Sequence, residues 1–294
     1  MPEGQIVRGL SSFYYVEANN QVLECKARGI FKLRKEAPLV GDYVTFEIVN
    51  EKQGLISAIK PRKSELLRPP ISNVDQVVLV FSVEEPKFNQ QLLDKFLVHV
   101  EKANIKPIIC LTKNDLRADQ DFAIEAVQEL YQGIGYHVIK TDISGQGLTQ
   151  LRELLKDRIS VFAGQSGVGK STLLNSLLPS PILETAAISI KLGRGKHTTR
   201  ETQLIHLIGG GMVADTPGFS QLDFQGIMPD ELGQYFIEFS KWLGKCRFRG
   251  CQHNNEPGCA IKEAVKTNEI ASLRYQHYHE FLEEIKEREQ NKWR

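Results

Sequence analysis

The sequence predicts an α/β protein in three parts: a small β-barrel, a parallel sheet flanked by helices, and a helical C-terminal region. Three observations support this division. Short strand patterns fill residues 1–65, apolar runs alternate with helical patterns over residues 66–224, and no strand pattern survives over residues 225–294. Alternating strands and helices are typical of a doubly wound sheet, which binds ligands at the carboxyl ends of its strands. We therefore expect three domains with these bounds.

The composition is that of an ordinary globular protein. Of the 294 residues, 41% are hydrophobic and 25% are charged, which argues against disordered, collagen-like and coiled-coil proteins. No apolar run reaches the roughly 18 residues of a membrane span, and the N-terminus lacks the apolar core of a signal peptide. The formal net charge of +1 gives no general support for a nucleic-acid partner. We expect a cytoplasmic monomer without membrane contact.

The first 65 residues predict a closed barrel. Strand patterns cover residues 5–9, 13–17, 21–27, 43–49 and 55–60, separated by turn-forming residues. Five short strands favour closure, because a closed barrel leaves no exposed strand edge, and the oligonucleotide-binding (OB) barrel is the commonest such form. Pro69-Pro70 then predicts a linker with neither helix nor strand.

The following region alternates between strand and helix. Apolar runs predict buried strands at residues 77–83, 106–111, 137–141, 159–163 and 212–215. Helical spacing predicts helices at 92–103, 122–131, 148–155 and 171–178, with a further helix at 231–243 and a final one from about residue 269. The final helix is expected to bury one face, which consists of Ile270, Leu273, His277, Phe281 and Ile285. Cys25 and Cys110 lie within predicted strands and are expected to be core residues.

A phosphate-binding motif lies where a predicted strand meets a predicted helix. The motif GxxxxGKS and the next residue form the candidate P-loop: Gly164, Gln165, Ser166, Gly167, Val168, Gly169, Lys170, Ser171 and Thr172. Its glycines let backbone amides turn toward phosphate oxygens, and the helix N-terminus adds a positive dipole end. We expect Lys170 to reach the terminal phosphates and Ser171 to bind Mg²⁺. The alternative, a glycine-rich turn without a ligand, is disfavoured by the strand and helix on either side.

A second motif concerns the base of the nucleotide. Its residues, Thr112, Lys113, Asn114 and Asp115, follow a predicted strand and resemble the NKxD motif of GTPases, with Thr in place of Asn. A carboxylate only accepts hydrogen bonds, so Asp115 suits the imide and exocyclic amine of guanine, whereas adenine would offer it a lone pair. We therefore expect GTP rather than ATP. The alternative is a turn with a helix-capping Asp. Because Thr112 replaces the usual Asn, one contact with the base is left unassigned.

Two further segments complete a predicted Mg²⁺–nucleotide site. In the segment Asp215-Thr216-Pro217-Gly218, Asp215 is expected to hold Mg²⁺ through water while the Gly218 amide approaches the terminal phosphate. The loop at residues 193–200 reads GRGKHTTR, and we expect Thr199, in preference to Thr198, to complete the Mg²⁺ shell. For this loop an ordinary basic surface turn is the alternative.

The order of these motifs indicates a circular permutation. In ordinary GTPases the P-loop comes first and the base motif last, whereas here the base motif at residue 112 precedes the P-loop at residue 164. The same sheet can be built by joining the old ends and cutting elsewhere, because chain termini often lie close together. We therefore predict a circularly permuted P-loop GTPase domain. Its DxxG segment runs directly into the C-terminal region, so residues 219–224 could report the nucleotide state to that region.

A cluster of cysteines and a histidine predicts one structural zinc ion. Cys246, Cys251, His253 and Cys259 have the spacing C-x4-C-x-H-x5-C. Three thiolates and one imidazole close a tetrahedral set and leave no open position for a catalytic water. The alternative is a group of free thiols beside a surface histidine.

Taken together, these features resemble one bacterial family, ribosome small subunit-dependent GTPase A. The resemblance rests on the barrel, the permuted motif order, the Cys/His cluster, Arg68-Pro69, Asn73-Val74-Asp75-Gln76, GRGKHTTR and DTPGF. It implies a GTPase that acts late in maturation of the small ribosomal subunit. Its implied partners are GTP or GDP, the small subunit and its 16S rRNA, and its turnover is expected to be stimulated by the subunit. The chain departs from the family at Thr141-Asp142-Ile143, where Ser-Ala-Lys is usual.

The residue that orients the attacking water is left open. Position 219 is Phe, whereas many GTPases use Gln there, so unaided hydrolysis is expected to be slow, on the order of 10⁻⁴ to 10⁻³ s⁻¹. His197 is the candidate for orienting the water, and the alternative is that it only contacts rRNA. Basic clusters that suit an RNA partner occur in all three parts: Arg28, Lys32, Arg34 and Lys35; Arg194, Lys196 and Arg200; and Lys245, Arg247 and Arg249.

Two other functions compete with subunit-stimulated hydrolysis. One is an RNA-binding scaffold whose nucleotide is only a structural ligand, which Phe219 favours. The other is an ATPase or small-molecule kinase, against which Asp115 and the DxxG segment argue.

Overall fold

A computed structural model describes residues 1–10, 12–31, 36–67, 70–116, 124–179, 202–215 and 223–291. The chain forms two compact units. Unit 1 comprises Met1–Pro86, Ile108–Arg117 and Ile139–Ser220, and unit 2 comprises Lys87–Pro107, Ala118–Val138 and Gln221–Arg294. Within the described ranges, no helix combines the length and the apolar character that a membrane span requires.

The N-terminal strands close into the predicted barrel. They are β1 (Glu3–Leu10), β2 (Phe13–Ala18), β3 (Gln21–Ala27), β4 (Tyr43–Asn50) and β5 (Gln53–Ile59). The strand order is β1-β2-β3-β5-β4, and antiparallel pairing of β1 with β4 completes the ring. Inward side chains such as Ile6, Val16 and Cys25 are fully buried, so the expected core role of Cys25 is confirmed. This five-stranded, OB-like barrel confirms the predicted architecture.

The segment after the barrel contains a strand pair that the sequence did not predict. β6 (Glu65–Leu67) and β7 (Pro70–Ser72) form an antiparallel pair, so the expectation of a linker without strand was wrong. Pro70 is the first residue of β7, a position that tolerates the missing N–H of proline. Asn73, which follows, donates from Nδ2 to the Gly41 carbonyl at 2.9 Å and accepts the Lys63 N–H at 2.9 Å.

The central strands form the predicted sheet, with one antiparallel edge. They are β8 (Gln76–Ser82), β9 (Lys106–Thr112), β10 (His137–Lys140), β11 (Ile159–Ala163), β12 (Thr202–His206) and β13 (Met212–Asp215), in the order β10-β9-β8-β11-β13-β12. β11 pairs in parallel with β8 and β13, whereas β12 pairs antiparallel with β13 and with β1. The expectation of a purely parallel sheet was therefore wrong at β12. Only Leu204 of this strand is buried, so its sequence lacks the apolar run that marks the others.

All but one of the α-helices match a predicted helix; the exception is the short helix at residues 260–266, which was not predicted. They are α1 (Gln90–Lys102), α2 (Ile124–Ile134), α3 (Leu148–Leu155), α4 (Lys170–Leu177), α5 (Ala260–Lys266) and α6 (Ser272–Asn291). In unit 1, apolar residues of α3 and α4 pack with those of the central strands in one core. This core contains Cys110, which is fully buried as expected.

Unit 2 differs from the predicted helices at two further places. The helix expected at 231–243 is instead two short 3₁₀ helices, Leu232–Tyr235 and Ile237–Lys241. They are separated by Phe236, whose backbone is extended and whose ring is fully buried beside Phe239 at a centroid distance of 5.2 Å. On α6, Leu273 is 39% exposed and Arg274 is fully buried, so Leu273 was wrongly assigned to the buried face.

Arg274 is buried because unit 2 supplies partners for its whole guanidinium group. Nε and Nη2 donate to the Glu238 carboxylate at 2.7 and 3.0 Å, and Nη1 donates to Asp94 at 2.6 Å. Asp94 also accepts the Tyr131 hydroxyl at 2.5 Å and lies 2.5 Å from Nδ1 of His277. Burial opposes the charge, but the two carboxylates keep the pKa of Arg274 well above its ordinary value. This network joins α1, α2, the second 3₁₀ helix and α6.

Candidate nucleotide and metal sites

The P-loop residues adopt a conformation that requires glycine. Gly164, Gly167 and Gly169 have φ angles of +149°, +83° and +92°, a region that other residues rarely adopt. A Cβ atom on Gly164 would lie only 2.1 Å from the Val80 carbonyl oxygen. Gly169 caps α4, which begins at Lys170. The sequence between β11 and α4 therefore folds as the tight strand-to-helix loop that the motif predicts.

The P-loop lysine folds back onto its own loop. Its Nζ atom donates to the Gly164 carbonyl at 2.7 Å and to the Gln165 carbonyl at 2.5 Å. Burial lowers the pKa of Lys170. Gln165, Ser166 and Thr172 are exposed, while Val168 is buried. The loop thus presents polar side chains to solvent, while its apolar residue Val168 is buried.

The base motif contacts the P-loop through Thr112. Its Oγ1 hydroxyl lies 2.5 Å from the Val168 carbonyl oxygen and 3.2 Å from that of Phe81. Because a hydroxyl has one proton, the shorter contact is the hydrogen bond and the hydroxyl is held by the backbone. In this structure Thr112 therefore joins the end of β9 to the P-loop.

The remaining base-motif residues lie at the same edge of the sheet. Lys113 has a φ of +57°, and its Nζ atom donates to the Glu85 carbonyl. Asn114–Leu116 form a single 3₁₀ turn in which Asp115 is exposed. The buried Oδ1 atom of Asn114 has no hydrogen-bond partner among the described residues. Consecutive residues therefore provide a buried amide oxygen without a partner and an exposed carboxylate.

The segment that departs from the family pattern forms a self-contained turn next to Asn114. The Asn114 N–H donates to the Thr141 carbonyl at 3.4 Å. The Asp142 carboxylate accepts the Ser144 hydroxyl at 2.5 Å and the Ser144 N–H at 2.9 Å. The Ser144 hydroxyl is the main cause of the lowered pKa of Asp142. Ile143 is 87% exposed, so this turn presents its third residue to solvent.

Several predicted site residues lie outside the described residues. These are Thr198, Thr199 and His197 with the rest of the basic loop at 193–200, and Gly218 and Phe219. Asp215 ends β13, one residue beyond the parallel Val161–Ala214 pair, and its backbone pairs with Gln203 of β12. The carboxyl ends of β11 and β13 therefore share one edge, which carries the P-loop and Asp215.

In unit 2 the four predicted zinc ligands come together. Their ligand atoms all lie within 4.8 Å of one another. Sγ of Cys246 is 3.9 Å from Sγ of Cys259, and both sulfurs are 3.5 Å from Nδ1 of His253. Zn–S bonds of about 2.3 Å at tetrahedral angles place two sulfurs about 3.8 Å apart. Cys246, Cys251, His253 and Cys259 therefore fit one zinc ion, with His253 facing the cluster through Nδ1.

Surrounding residues fix the loop that carries these ligands. The Tyr275 hydroxyl donates to the His253 carbonyl at 2.6 Å, and the Tyr278 hydroxyl donates to the Gln252 carbonyl at 2.8 Å. Glu256 accepts the N–H groups of Gln252 and Asn254 at 2.9 and 2.8 Å. Such outer contacts orient metal ligands before the metal binds.

The basic clusters have different surroundings. Arg28 pairs with Glu47 at 2.6 Å, so its charge is partly compensated. Lys32, Arg34, Lys35, Arg194, Lys196 and Arg200 lie outside the described residues. Lys245, Arg247 and Arg249 are exposed beside the Cys/His cluster. The aromatic residue between the two arginines, Phe248, is 46% exposed. It was not among the predicted site residues, and the triplet Arg-Phe-Arg was the signal for it.

The fold and the motif positions together define a class of protein. The base motif ends β9 and precedes the P-loop in the chain, yet the two are in contact through Thr112 and Val168. A GTPase sheet whose motifs follow this altered order is a circularly permuted GTPase. A five-stranded barrel precedes it and a Cys/His cluster follows it.

Comparison with known sequences identifies the family. A sequence model of the RsgA GTPase matches residues 59–225, and one of the RsgA N-terminal domain matches residues 3–56. The chain belongs to the RsgA GTPase family. A relative from Bacillus pumilus, named small ribosomal subunit biogenesis GTPase RsgA, is 52% identical over 98% of this chain and 99% of its own length.

Solved structures give the same result. The chain superposes on the crystal structure of YloQ, described as a circularly permuted GTPase, with a TM-score of 0.85 and 48% identity over 98% of this chain and 96% of that one. It superposes on YjeQ from Thermotoga maritima with a TM-score of 0.84 and 37% identity, covering 97% of this chain and 98% of the other. The fold class predicted from the sequence is therefore confirmed.

Proposed function

We propose that this GTPase acts in biogenesis of the small ribosomal subunit and that the subunit stimulates its hydrolysis of GTP to GDP. Family membership and the names of full-length relatives support the role in biogenesis. The observation that carries the nucleotide site is the contact between Thr112 and Val168, which holds the base motif against the P-loop. The partners we propose are the small subunit and its 16S rRNA. We also propose that the protein is a monomer and that it acts in the cytoplasm.

The proposed nucleotide site uses both motifs. Asp115 accepts hydrogen bonds from the guanine imide and amine, with Thr112, Lys113 and Asn114 shaping the base pocket. Backbone amides of residues 164–172 surround the phosphates, and Lys170 leaves its loop carbonyls for the terminal phosphate. Its lowered pKa reflects burial without a charged partner, so a bound phosphate restores its preference for the charged form.

The site also has the oxygen ligands for Mg²⁺. Ser171, Thr199 and Asp215 would hold the ion, Asp215 through water. Bound there, Mg²⁺ neutralises charge on the phosphate oxygens. We further propose that the Gly218 amide contacts the terminal phosphate and that His197 orients the attacking water.

The C-terminal region is proposed to be a zinc-stabilised domain. Cys246, Cys251, His253 and Cys259 hold the ion with all four positions filled, so its role is structural. We propose three functional domains: the barrel at 1–65, the permuted GTPase domain at 66–224 and the zinc domain at 225–294. The two family matches cover residues 3–56 and 59–225, so the gap between them supports the first boundary. The second match ends at residue 225, next to the second boundary.

Turnover assays test this proposal. GTP and ATP hydrolysis are measured with and without purified small ribosomal subunits, using the wild-type chain and Lys170→Ala. Stimulated turnover of GTP, absent in the variant, is the expected result, and preference for ATP would contradict it. GTP binding without stimulated turnover would favour the second candidate, an RNA-binding scaffold, to which Phe219 in place of a water-orienting glutamine points.

A further inference from the structure

One row of paired residues crosses unit 1 from the end of β13 to the far side of the barrel. Each member lies opposite the next in the register of two neighbouring strands. The members, from β13 through β12, β1, β2 and β3 to β5, are Asp215, Gln203, Arg8, Tyr15, Glu24 and Gln53. Backbone pairing therefore connects a proposed Mg²⁺ ligand to four strands of the barrel.

Side-chain contacts reinforce the barrel part of this row. The Arg8 guanidinium carbon lies 5.2 Å from the centroid of the Tyr15 ring. The Tyr15 hydroxyl donates to the Glu24 carboxylate at 3.4 Å, and the side-chain amide of Gln53 donates to the same carboxylate at 3.4 Å. A displacement of β1 would therefore act directly on β2, β3 and β5.

β12 joins the two parts of the row, and its own side chains hold it weakly. Only Leu204 of its five residues is buried, whereas β8 and β11 are buried throughout. It pairs with β1 at two positions, Arg8–Gln203 and Gly9–Thr202. A short ladder with little buried apolar surface opens more easily than the core strands do.

β1 pairs with the barrel at one end and with the central sheet at the other. Its residues Glu3–Gln5 pair with β4, whereas its last residues pair with β12. Between them, the register of β1 against β2 shifts between Ile6 and Arg8, and a bulge of this kind turns a strand toward a new partner. Nearby, Nε2 of the exposed His206 in β12 lies 2.9 Å from the Glu17 carboxylate of β2.

β12 also connects the two segments that are predicted to hold Mg²⁺. The chain enters β12 at Thr202, soon after the loop at 193–200, and continues through β13 to Asp215. Mg²⁺ bound with GTP would engage both segments, whereas GDP lacks the terminal phosphate. The two nucleotides therefore interact differently with the ends of one pair of strands, which is the condition for shifting its conformation.

We propose that β12 relays the nucleotide state to the barrel: Mg²⁺–GTP strengthens the pairing of β12 with β1, and GDP weakens it. The inference rests on the proposed GTPase function and names a regulatory contact of the same site. This route differs from the one through residues 219–224 that the motif order predicts, because that segment leads to the C-terminal region. Its consequence is a barrel whose β1 and β2 are better ordered when GTP is bound.

Hydrogen exchange followed by mass spectrometry tests the relay in the full-length chain. Samples contain Mg²⁺ and a saturating concentration of either GDP or a non-hydrolysable GTP analogue. We expect the amides of residues 8–10 and 202–206 to exchange at least about fivefold more slowly with the analogue, in line with typical coupling between sites. The amides of residues 43–45, which pair with β1 before its bulge, should exchange equally with both nucleotides.

Nucleotide affinity tests the same coupling in the opposite direction, because coupling between two sites is reciprocal. Arg8→Gly weakens β1, since glycine destabilises a strand, and leaves the pairing of β12 with β13 untouched. It should lower the affinity for the GTP analogue, relative to that for GDP, by about fivefold. Gln21→Gly makes the same change at the exposed first residue of β3 and should keep the wild-type ratio.

The results also distinguish the relay from the proposed function. Equal exchange of residues 8–10 with the two nucleotides would overturn the relay while leaving the nucleotide site intact. An unchanged affinity ratio in Arg8→Gly, shown by circular dichroism to be folded, would overturn it as well. If that variant does not fold, the exchange comparison on the wild-type chain decides alone. Failure of the wild-type chain to bind either guanine nucleotide would overturn both the relay and the proposed function.

Discussion

The Thr112 hydroxyl donates a hydrogen bond to the backbone carbonyl of Val168 across 2.5 Å. These residues are far apart in the chain and belong to different motifs, one at the end of β9 and the other inside the P-loop. Both are buried, so the bond is shielded from water. The contact positions the two halves of the proposed nucleotide site against each other.

Removing this hydroxyl should weaken nucleotide binding. Thr112→Val keeps the shape of the side chain but leaves the Val168 carbonyl unsatisfied, at a cost of about 1–3 kcal/mol. We expect GDP affinity, measured with a fluorescent GDP analogue, to fall by about tenfold. Thr112→Ser keeps the donor and should bind within about threefold of the wild type. Equal affinity of the valine variant would show that the contact does not support the site.

Loss of the Cys/His cluster should unfold its loop while sparing nucleotide binding. The four ligand residues belong to unit 2, whereas the base motif and the P-loop belong to unit 1. Cys251→Ser, or chelation of the metal, should abolish the one-to-one zinc content and expose residues near 243–260 to protease. The affinity for GDP should change by less than about twofold. Cys25→Ala, which removes a buried thiol of the barrel, should keep its zinc, and loss of zinc from that control would undermine the assignment.

The Arg274 network should contribute strongly to the stability of unit 2. Arg274→Met leaves Asp94 and Glu238 buried without their cation, and breaking such a pair costs about 3–5 kcal/mol. Arg274→Lys should not restore it, because an ammonium group lacks the planar fork that reaches both carboxylates. Urea unfolding followed by circular dichroism measures the change. The exposed pair Lys266–Glu263, at 2.8 Å, is the control, and Lys266→Ala should cost less than about 1 kcal/mol.

His99 should make stability depend on pH between about 6.5 and 4. Its ring stacks on Phe224 at 5.6 Å, and its buried Nε2 has no partner among the described residues. Burial, reinforced by the charges of Lys95 and Lys102 and opposed by Asp223, lowers the pKa of His99 from 6.5 to about 4. The folded protein therefore favours the neutral ring, and this contribution to stability is complete above pH 6.5.

As the pH falls from 6.5 to 4, the unfolded chain takes up the proton first and stability declines by up to about 3 kcal/mol. His99→Phe keeps a stacked ring that does not titrate. The unfolding free energy of the variant, relative to that of the wild type, should therefore increase as the pH falls from 6.5 to 4. Below pH 4 the difference should stay constant. A difference that stays constant with pH would show that His99 does not cause the dependence. The Cys/His cluster is common to both proteins, so its titration cancels.

The elements that the sequence predicted well are those with a strong local signal. The apolar runs of β8, β9 and β11 are buried as predicted, and Gly164 has a conformation that only glycine adopts readily. β12 and β7 were missed because their partners, not their own composition, stabilise them as strands. Leu273 was misassigned for a related reason, since Arg274 could enter the core only because distant carboxylates neutralise it.

By itself, the sequence determined the motifs, their permuted order, the barrel and the members of the Cys/His cluster, because each depends on residue types at short spacing. Only the tertiary structure decided that Thr112 bonds to Val168, that Arg274 is buried, and that Phe248 is exposed. These features depend on groups that are distant in the chain and meet only when it is folded. Burial and hydrogen-bond satisfaction depend on which distant groups come into contact in the folded chain, so the local spacing of residues does not encode them.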